Sequence, residues 1–386
     1  LHVRVAERGP ADDVGPGARR ELIGDLYDAN HLAHLLRAAS VGRDDALFAE
    51  LAGSGARVDH GDLWRGAERH ASALVASELQ PGDRVAMQVE KSIQALQLYL
   101  GTLLAGGVFL PLNPAYTPAE IGYFLADAEP AVFVCDPGRL ESLQAVAGES
   151  RVLTLAADGS GSLADAVAAA TPLAEAVARD ADDLAAILYT SGTTGRSKGA
   201  MLTHRNLGSN ATVLADSWAF TAQDVLIHAL PIFHAHGLFV ATHVPLVSGG
   251  SMIFHARFDA EAILADMPRA TALMGVPTFY VRLLELRGLT GEATARMRLF
   301  VSGSAPLLAD THERFRARTG HAILERYGMT ETGMNSSNPY DGERRGGTVG
   351  LPRPGIEILV TDPESGDSLP TGETGAVAVR GPNVFR

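Results

Sequence analysis

Cysteine is almost absent. Cys135 is the only one in 386 residues, which excludes a disulfide framework within the chain and makes a reducing, cytoplasmic setting the expectation. It lies in the apolar run 131–135 and reads as a small core residue. Positive charge is scarce: 32 Lys and Arg face 45 Asp and Glu, a formal net charge of -13. That balance argues against nucleic acid as a main partner, because a basic face is the usual footprint. No apolar run is long enough to cross a bilayer, so no membrane partner is expected. Residues 1–20 lack the apolar centre of a secretory signal, and Asp12 and Asp13 speak against an organelle transit peptide. Zinc is rejected as well: His234 and His236 stand two apart, but no cysteine or third histidine follows at ligand spacing.

What is present is a core. Hydrophobic residues make up 46% and charged residues 20%, and the length exceeds one ordinary domain. Helical spacing runs over 26–36, 63–79 and 92–105, with strands at 84–89, 108–112, 131–135 and 151–155. A helix over 117–127 opens with Thr117 as cap, Pro118 in its first turn and Glu120 three residues on. This alternation predicts an α/β fold, helices packed on a mostly parallel sheet. The Ala-rich, turn-rich stretch 156–182 reads as a boundary. A second α/β layer follows, with a strand from Leu184 and a helix over 201–218. Further strands fall at 225–230, 251–254, 271–274, 299–302 and 322–325, and helices at 237–247, 277–286 and 307–318. Strands at 356–360 and 376–380 suggest a small antiparallel or barrel-like unit. The expected units are a loosely ordered lead-in (1–25), two stacked α/β subdomains (26–180 and 181–346) and a small β subdomain (347–386).

The chemistry concentrates where the second layer begins. Thr190, Ser191, Gly192, Thr193, Thr194 and Gly195 follow the strand, then Lys198 and Gly199. Glycines let backbone N–H groups close on an anion, hydroxyls add donors and lysine adds a point charge: a phosphate loop. It is not a Walker loop, because Ser197 stands where the second glycine belongs. Two more loops follow strands in this layer, Gly303-Ser304-Ala305-Pro306 and the run from Tyr327 to Thr332. Open parallel sheets bind ligands beyond the carboxyl ends of their strands, so the three loops are expected to share one cleft.

The phosphate loop resembles that of the acyl-adenylate-forming family of acyl-CoA synthetases, luciferases and peptide-synthetase adenylation domains. That family reads T-S-G-[ST]-T-G-x-P-K-G, and only the proline, here Ser197, departs. The resemblance extends to Glu325-Arg326-Tyr327-Gly328-Met329-Thr330-Glu331, the family's Y-G-x-T-E, and to Pro231-Ile232-Phe233-His234-Ala235-His236-Gly237, its P-x-[FY]-H-x-x-G. It implies ATP or AMP held by the phosphate loop, with adenine lined by Gly303, Ser304, Ala305 and Pro306 and by the segment from Glu325 to Thr330. Tyr327 offers a stacking face, and Glu331 suits magnesium. Lys198, Thr330, Glu331 and His234 are the catalytic candidates. His234, Ala235, His236, Arg282 and Met334 are the candidates for the acid.

Within the family the match is finest to the malonyl- and methylmalonyl-CoA synthetase branch. It rests on Phe233 to Gly237, on Arg282 and on Met334-Asn335-Ser336-Ser337-Asn338-Pro339-Tyr340. This implies activation of a small dicarboxylic acid, with Arg282 pairing its second carboxylate, coenzyme A as co-substrate, and a monomer or homodimer. Alternatives within the enzyme class are a carrier-loading adenylation domain or another short-chain acyl-CoA synthetase. Outside that class stands a nucleotide-binding module. The family's later T-G-D segment, hinge and C-terminal domain with its catalytic lysine lie beyond Arg386. The chain as given is therefore expected to bind nucleotide and acid but to catalyse poorly.

Overall fold

Asn30 caps the first helix, α1 (His31–Ala38), and its amide nitrogen also donates to the carbonyls of Leu103 (2.8 Å) and Val177 (3.0 Å). This is the computed structural model of the chain; it describes residues 29–190 and 196–386. The expected lead-in and the loop residues Ser191, Gly192, Thr193, Thr194 and Gly195 lie outside the described residues. Next come β1 (Leu47–Leu51), β2 (Arg57–Asp59), α2 (His60–Ala76), β3 (Arg84–Gln88), α3 (Ile93–Leu104) and β4 (Val108–Pro111). In α4 (Pro118–Ala128) the Thr117–Glu120 capping box forms as read from the sequence. There follow β5 (Val132–Cys135), α5 (Leu140–Gln144), β6 (Arg151–Thr154), α6 (Ser162–Ala169) and β7 (Leu184–Thr190). The stretch read as a boundary thus carries a helix of its own, α6, which packs on α2.

A second departure follows the phosphate loop. The sequence reading takes 201–218 as one helix, but its start is a strand, β8 (Lys198–Thr203), antiparallel to β7. Ala200 and Leu202 are buried while Met201 is exposed, the period of two that a half-buried strand shows. Thr203 then caps α7 (His204–Ser217) in a box with Asn206. The remaining elements are β9 (Val225–His228), α8 (His243–Ser248), β10 (Ser251–Phe254), α9 (Ala260–Asp266), β11 (Ala272–Gly275), α10 (Pro277–Glu285), β12 (Leu299–Ser302) and α11 (Ala309–Thr319). They end with β13 (Leu324–Met329), β14 (Gly333–Ser337), β15 (Leu351–Pro352), β16 (Glu357–Thr361) and β17 (Ala376–Arg380). The helix expected from Gly237 starts as a π-helix, His236–Thr242, before continuing as α8.

Two mostly parallel sheets result. The six-stranded sheet runs β6-β5-β3-β4-β7-β8, and only its edge pair β7–β8 is antiparallel. The nine-stranded sheet runs β15-β14-β13-β12-β11-β9-β10-β1-β2, parallel through its centre and antiparallel at both edges. β16 and β17 form a separate ribbon. The sheets do not divide at residue 180. β7 and β8 complete the first sheet, and β1 and β2, from the chain's early part, complete the second.

One continuous apolar cluster, including Trp64, Tyr99, Trp218 and Phe300, joins the helices of both sheets. A smaller cluster under α4 contains Cys135, whose thiol burial pushes up to about 11, an inert core residue as read. Among the described residues no helix is long and apolar enough to cross a membrane.

Candidate active site

β7 ends at Thr190, and the register of the β7–β8 pair sets Lys198 directly opposite it. The phosphate loop therefore leaves and returns at one point. Its return is tethered: the Tyr123 hydroxyl donates to the Ser197 carbonyl at 2.9 Å. The Thr190 hydroxyl donates to Glu331 Oε1 at 3.2 Å. A loop from one sheet and a carboxylate from the other thus meet. Among the described residues no group of three or more His, Cys, Asp or Glu stands together as a metal cage. A lone carboxylate beside a phosphate loop fits magnesium, which keeps its waters and takes phosphate oxygens for most of its shell.

The nucleotide-side loops differ in one respect from the reading. Tyr327, Gly328 and Met329 belong to β13 itself, paired with β14, and do not form a loop after it. The pairing slips between Tyr327 and Gly328, and a side chain at Gly328 would meet the Gly333 carbonyl at 2.2 Å, so the bulge needs glycine. Tyr327 is half-buried and Met329 exposed. Burial, then the nearby Glu331 charge, raise the Tyr327 pKa. The other loop leaves β12 at Gly303. Ser304 holds a left-handed φ of 68°, a conformation costly for a side-chain-bearing residue. Leu307 N donates to Glu325 Oε1 at 2.8 Å and pins the far end of the turn. Ser304, Ala305 and Pro306 are left exposed.

Behind these loops two polar side chains are buried. His236 is 4% exposed; its Nδ1 lies 3.3 Å from Ser304 Oγ, and its Nε2 has no partner. Arg326 is 3% exposed, and its Nε and Nη2 have no partner. Its guanidinium lies flat against Gly303, where an added side chain would come within 2.3 Å of Cζ. Among the described residues no carboxylate pairs with it. Burial lowers the Arg326 pKa to about 9, countered in part by Tyr280, so it stays cationic at neutral pH. Burial first, then the Arg326 charge, hold His236 neutral with its pKa well below the usual range.

His234, two residues earlier, is exposed, and its ring packs on Phe233 with centroids 4.5 Å apart. Partial burial lowers its pKa too. Ala235, Thr330 and Met334 are brought together around one small apolar cavity of about 20 Å³, room for a water or a methyl group. Arg282 is not brought there. It stands exposed on α10, its guanidinium 5.9 Å from the Phe258 ring.

The chain matches a family described as AMP-binding enzyme over residues 29–386. It belongs to that family. It is similar to the mitochondrial malonate–CoA ligase of Mus musculus, 34% identical over 346 residues, covering 79% of this chain and 58% of that protein. A malonate–CoA ligase of Arabidopsis thaliana is 32% identical over 329 residues, covering 79% and 54%. The chain thus spans little more than half the length of the curated relatives it matches. Among solved structures, ATP-bound MatB from Rhodopseudomonas palustris superposes with a TM-score of 0.90 at 57% identity, covering 93% of this chain and 71% of that one. A malonyl-CoA ligase ternary product complex with methylmalonyl-CoA and AMP bound gives a TM-score of 0.76 at 35% identity, covering 94% and 73%.

In this AMP-binding enzyme the short motifs are held by residues the sequence reading passed over. Asn210, on α7, clasps Met334 through both backbone groups, at 3.0 and 3.1 Å. Asn383 donates to the Thr332 carbonyl and to Asn335 Oδ1, and Asn335 donates to Thr332 Oγ1 at 2.7 Å. Asn206 and Asn210, four apart within the run taken as helix, are the one available signal: two amides on a single helical face.

Proposed function

We propose that this AMP-binding enzyme is the nucleotide- and acid-binding part of an ATP-dependent ligase for malonate or methylmalonate. The observation that carries the reading is the burial of Arg326 and His236 with nitrogens left unpartnered. A buried guanidinium with free N–H groups and no carboxylate is costly unless a ligand completes it. The second carboxylate of a small dicarboxylic acid does so, with His236 as neighbouring donor. Arg326, not Arg282, is the pairing cation. The named activities of the relatives point the same way.

In this reading the acid's first carboxylate, beside His234 and Thr330, attacks the α-phosphorus of ATP. The bond to the leaving pyrophosphate breaks and an acyl-AMP forms. The thiolate of coenzyme A then attacks the acyl carbonyl and AMP departs. Thr190, Ser191, Gly192, Thr193, Thr194, Gly195 and Lys198 hold the phosphates. Tyr327 and the Gly303–Pro306 turn take adenine between them. These groups orient reactants and stabilise charge, and no covalent link to the protein is required. Glu331, with the Thr190 hydroxyl beside it, would hold magnesium, which supplies neutralising charge to the phosphates. A reducing aqueous compartment such as the cytoplasm suits the single buried thiol.

The test is acid-dependent exchange of labelled pyrophosphate into ATP by the full native protein. Malonate and methylmalonate should support exchange far better than propionate or acetate. A preference for propionate or longer monoacids overturns the dicarboxylate reading.

A further inference from the structure

Lys91 follows β3 in the six-stranded sheet, yet its ammonium is spent on the other sheet. The residue is 9% exposed and borders a cavity of about 260 Å³ shared with Pro114, Phe233, Phe258 and Phe279. Its Nζ donates to the His228 carbonyl at 2.8 Å and contacts His228 Nδ1 at 2.9 Å. His228 ends β9 and is 1% exposed. The Gly237 carbonyl beside Nε2 can only accept, so the ring proton sits on Nε2 and Nδ1 accepts from Lys91. Nε2 lies 3.0 Å from the Gly237 carbonyl and 3.1 Å from Thr242 Oγ1. The Thr242 hydroxyl donates to the same Gly237 carbonyl at 3.0 Å. The chain of contacts therefore ends inside the π-helix His236–Thr242, one residue from His236. A π-turn is a rare conformation that persists only where its surroundings hold it.

We infer that the Lys91–His228 pair is a positioning device for the acid pocket, fixing the π-turn that aims His236 and thereby setting affinity for the acid's second carboxylate. The inference rests on the dicarboxylate reading above. Lys91 is a positioning residue: it acts through His228 and has no contact with His236 or Arg326. An apolar residue at 91 frees His228 to take the other tautomer. The unprotonated Nε2 would then face the Gly237 carbonyl, lone pair against lone pair, and the turn would shift. Burial lowers the pKa of both Lys91 and His228, and the hydrogen bonds that join them do not require either to be charged.

The experiment compares Lys91→Met, Lys91→Arg and Thr242→Val in the full native protein, by pyrophosphate exchange with malonate, propionate and ATP varied in turn. For Lys91→Met the KM for malonate should rise about tenfold, the scale of one buried hydrogen bond to a charged group. The KM values for ATP and propionate should stay within about twofold. Lys91→Arg should recover most of the malonate affinity, and Thr242→Val should move it in the same direction by less. Nitrogen NMR of His228 should show the Nε2–H tautomer in wild type and its loss in Lys91→Met. Equal changes in malonate and ATP, an unchanged malonate KM, or no recovery in Lys91→Arg overturns the inference. Should Lys91→Met fail to fold, Thr242→Val decides by the same split. If wild type shows no malonate-dependent exchange, the functional reading fails, and the inference fails with it even where the His228 tautomer is as stated.

Discussion

On the side proposed for the nucleotide Ser304, Ala305, Pro306 and Met329 stand exposed, and the protein offers backbone and flat surface. On the side proposed for the acid His236 and Arg326 are 4% and 3% exposed, and it offers side-chain donors left without partners. The first wall suits a ligand that is common and large, held by many weak contacts. The second suits a small anion, because one desolvated charge pair is worth more than several solvated contacts. Binding strength and selectivity are thus assigned to different materials, and substitutions should separate them.

The largest effect should come from Arg326→Met. Removing the cation leaves the second carboxylate buried and unpaired, a loss of about 3–5 kcal/mol, or a few hundred-fold and more in kcat/KM for malonate. Propionate should lose little. Equal losses for both acids would make Arg326 a structural residue and erase the contrast.

Two glycines carry the comparison to the backbone. A methyl at Gly237 would meet the Pro231 carbonyl at 1.9 Å, and one at Gly328 the Gly333 carbonyl at 2.2 Å. Both substitutions force a local shift, and misplacement of about 1 Å can cost up to about a hundredfold. Gly237→Ala should fall on the KM for malonate, and Gly328→Ala on the KM for ATP. Steady-state kinetics with each substrate varied would show whether the walls respond separately.

A third test uses histidines buried in the core. Burial, the leading cause at each, lowers the pKa of His60 and His70 to about 4 and of His243 to about 3. The unfolded chain takes up these protons near pH 6.5, before the folded one does. Their contribution to stability is therefore complete above pH 6.5 and is lost as pH falls toward 4. The urea midpoint should drop between pH 7 and pH 5, and an unchanged midpoint would contradict these shifts. The smallest effect belongs to Arg282→Met. An exposed cation near an aromatic ring is worth about 0.5–1 kcal/mol, so neither acid should change by more than about fivefold.

The same contrast explains what was legible in the sequence. The wall proposed for the nucleotide consists of short contiguous runs, and Thr190, Tyr327 and Glu331 are singled out by spacing. The capping box at Thr117 and the buried Cys135 follow from local pattern as well. The acid wall is assembled from residues far apart in sequence. Arg326 sits inside a motif read for adenine, and the use proposed for it rests on its burial without a carboxylate. Lys91 and His228 stand 137 residues apart, and no periodicity links them. The helix read over 201–218 fails at its start because Ala200, Met201 and Leu202 alternate for a sheet whose partner strand precedes the phosphate loop. Propensity over so few residues yields to that pairing.

The pairing of β1 with β10 has a consequence for biosynthesis. Leu51 lies beside Phe254, so the first strand of the large sheet waits for a partner made some two hundred residues later. At ribosomal rates of about 5–20 residues per second, that delay is roughly 10–40 s. Throughout it, the β1–β2 hairpin presents an open edge. The six-stranded sheet can close once Thr203 is made, but β1 and β2 cannot dock until β10 emerges, and nascent chains stalled before residue 251 should be the species that chaperones hold.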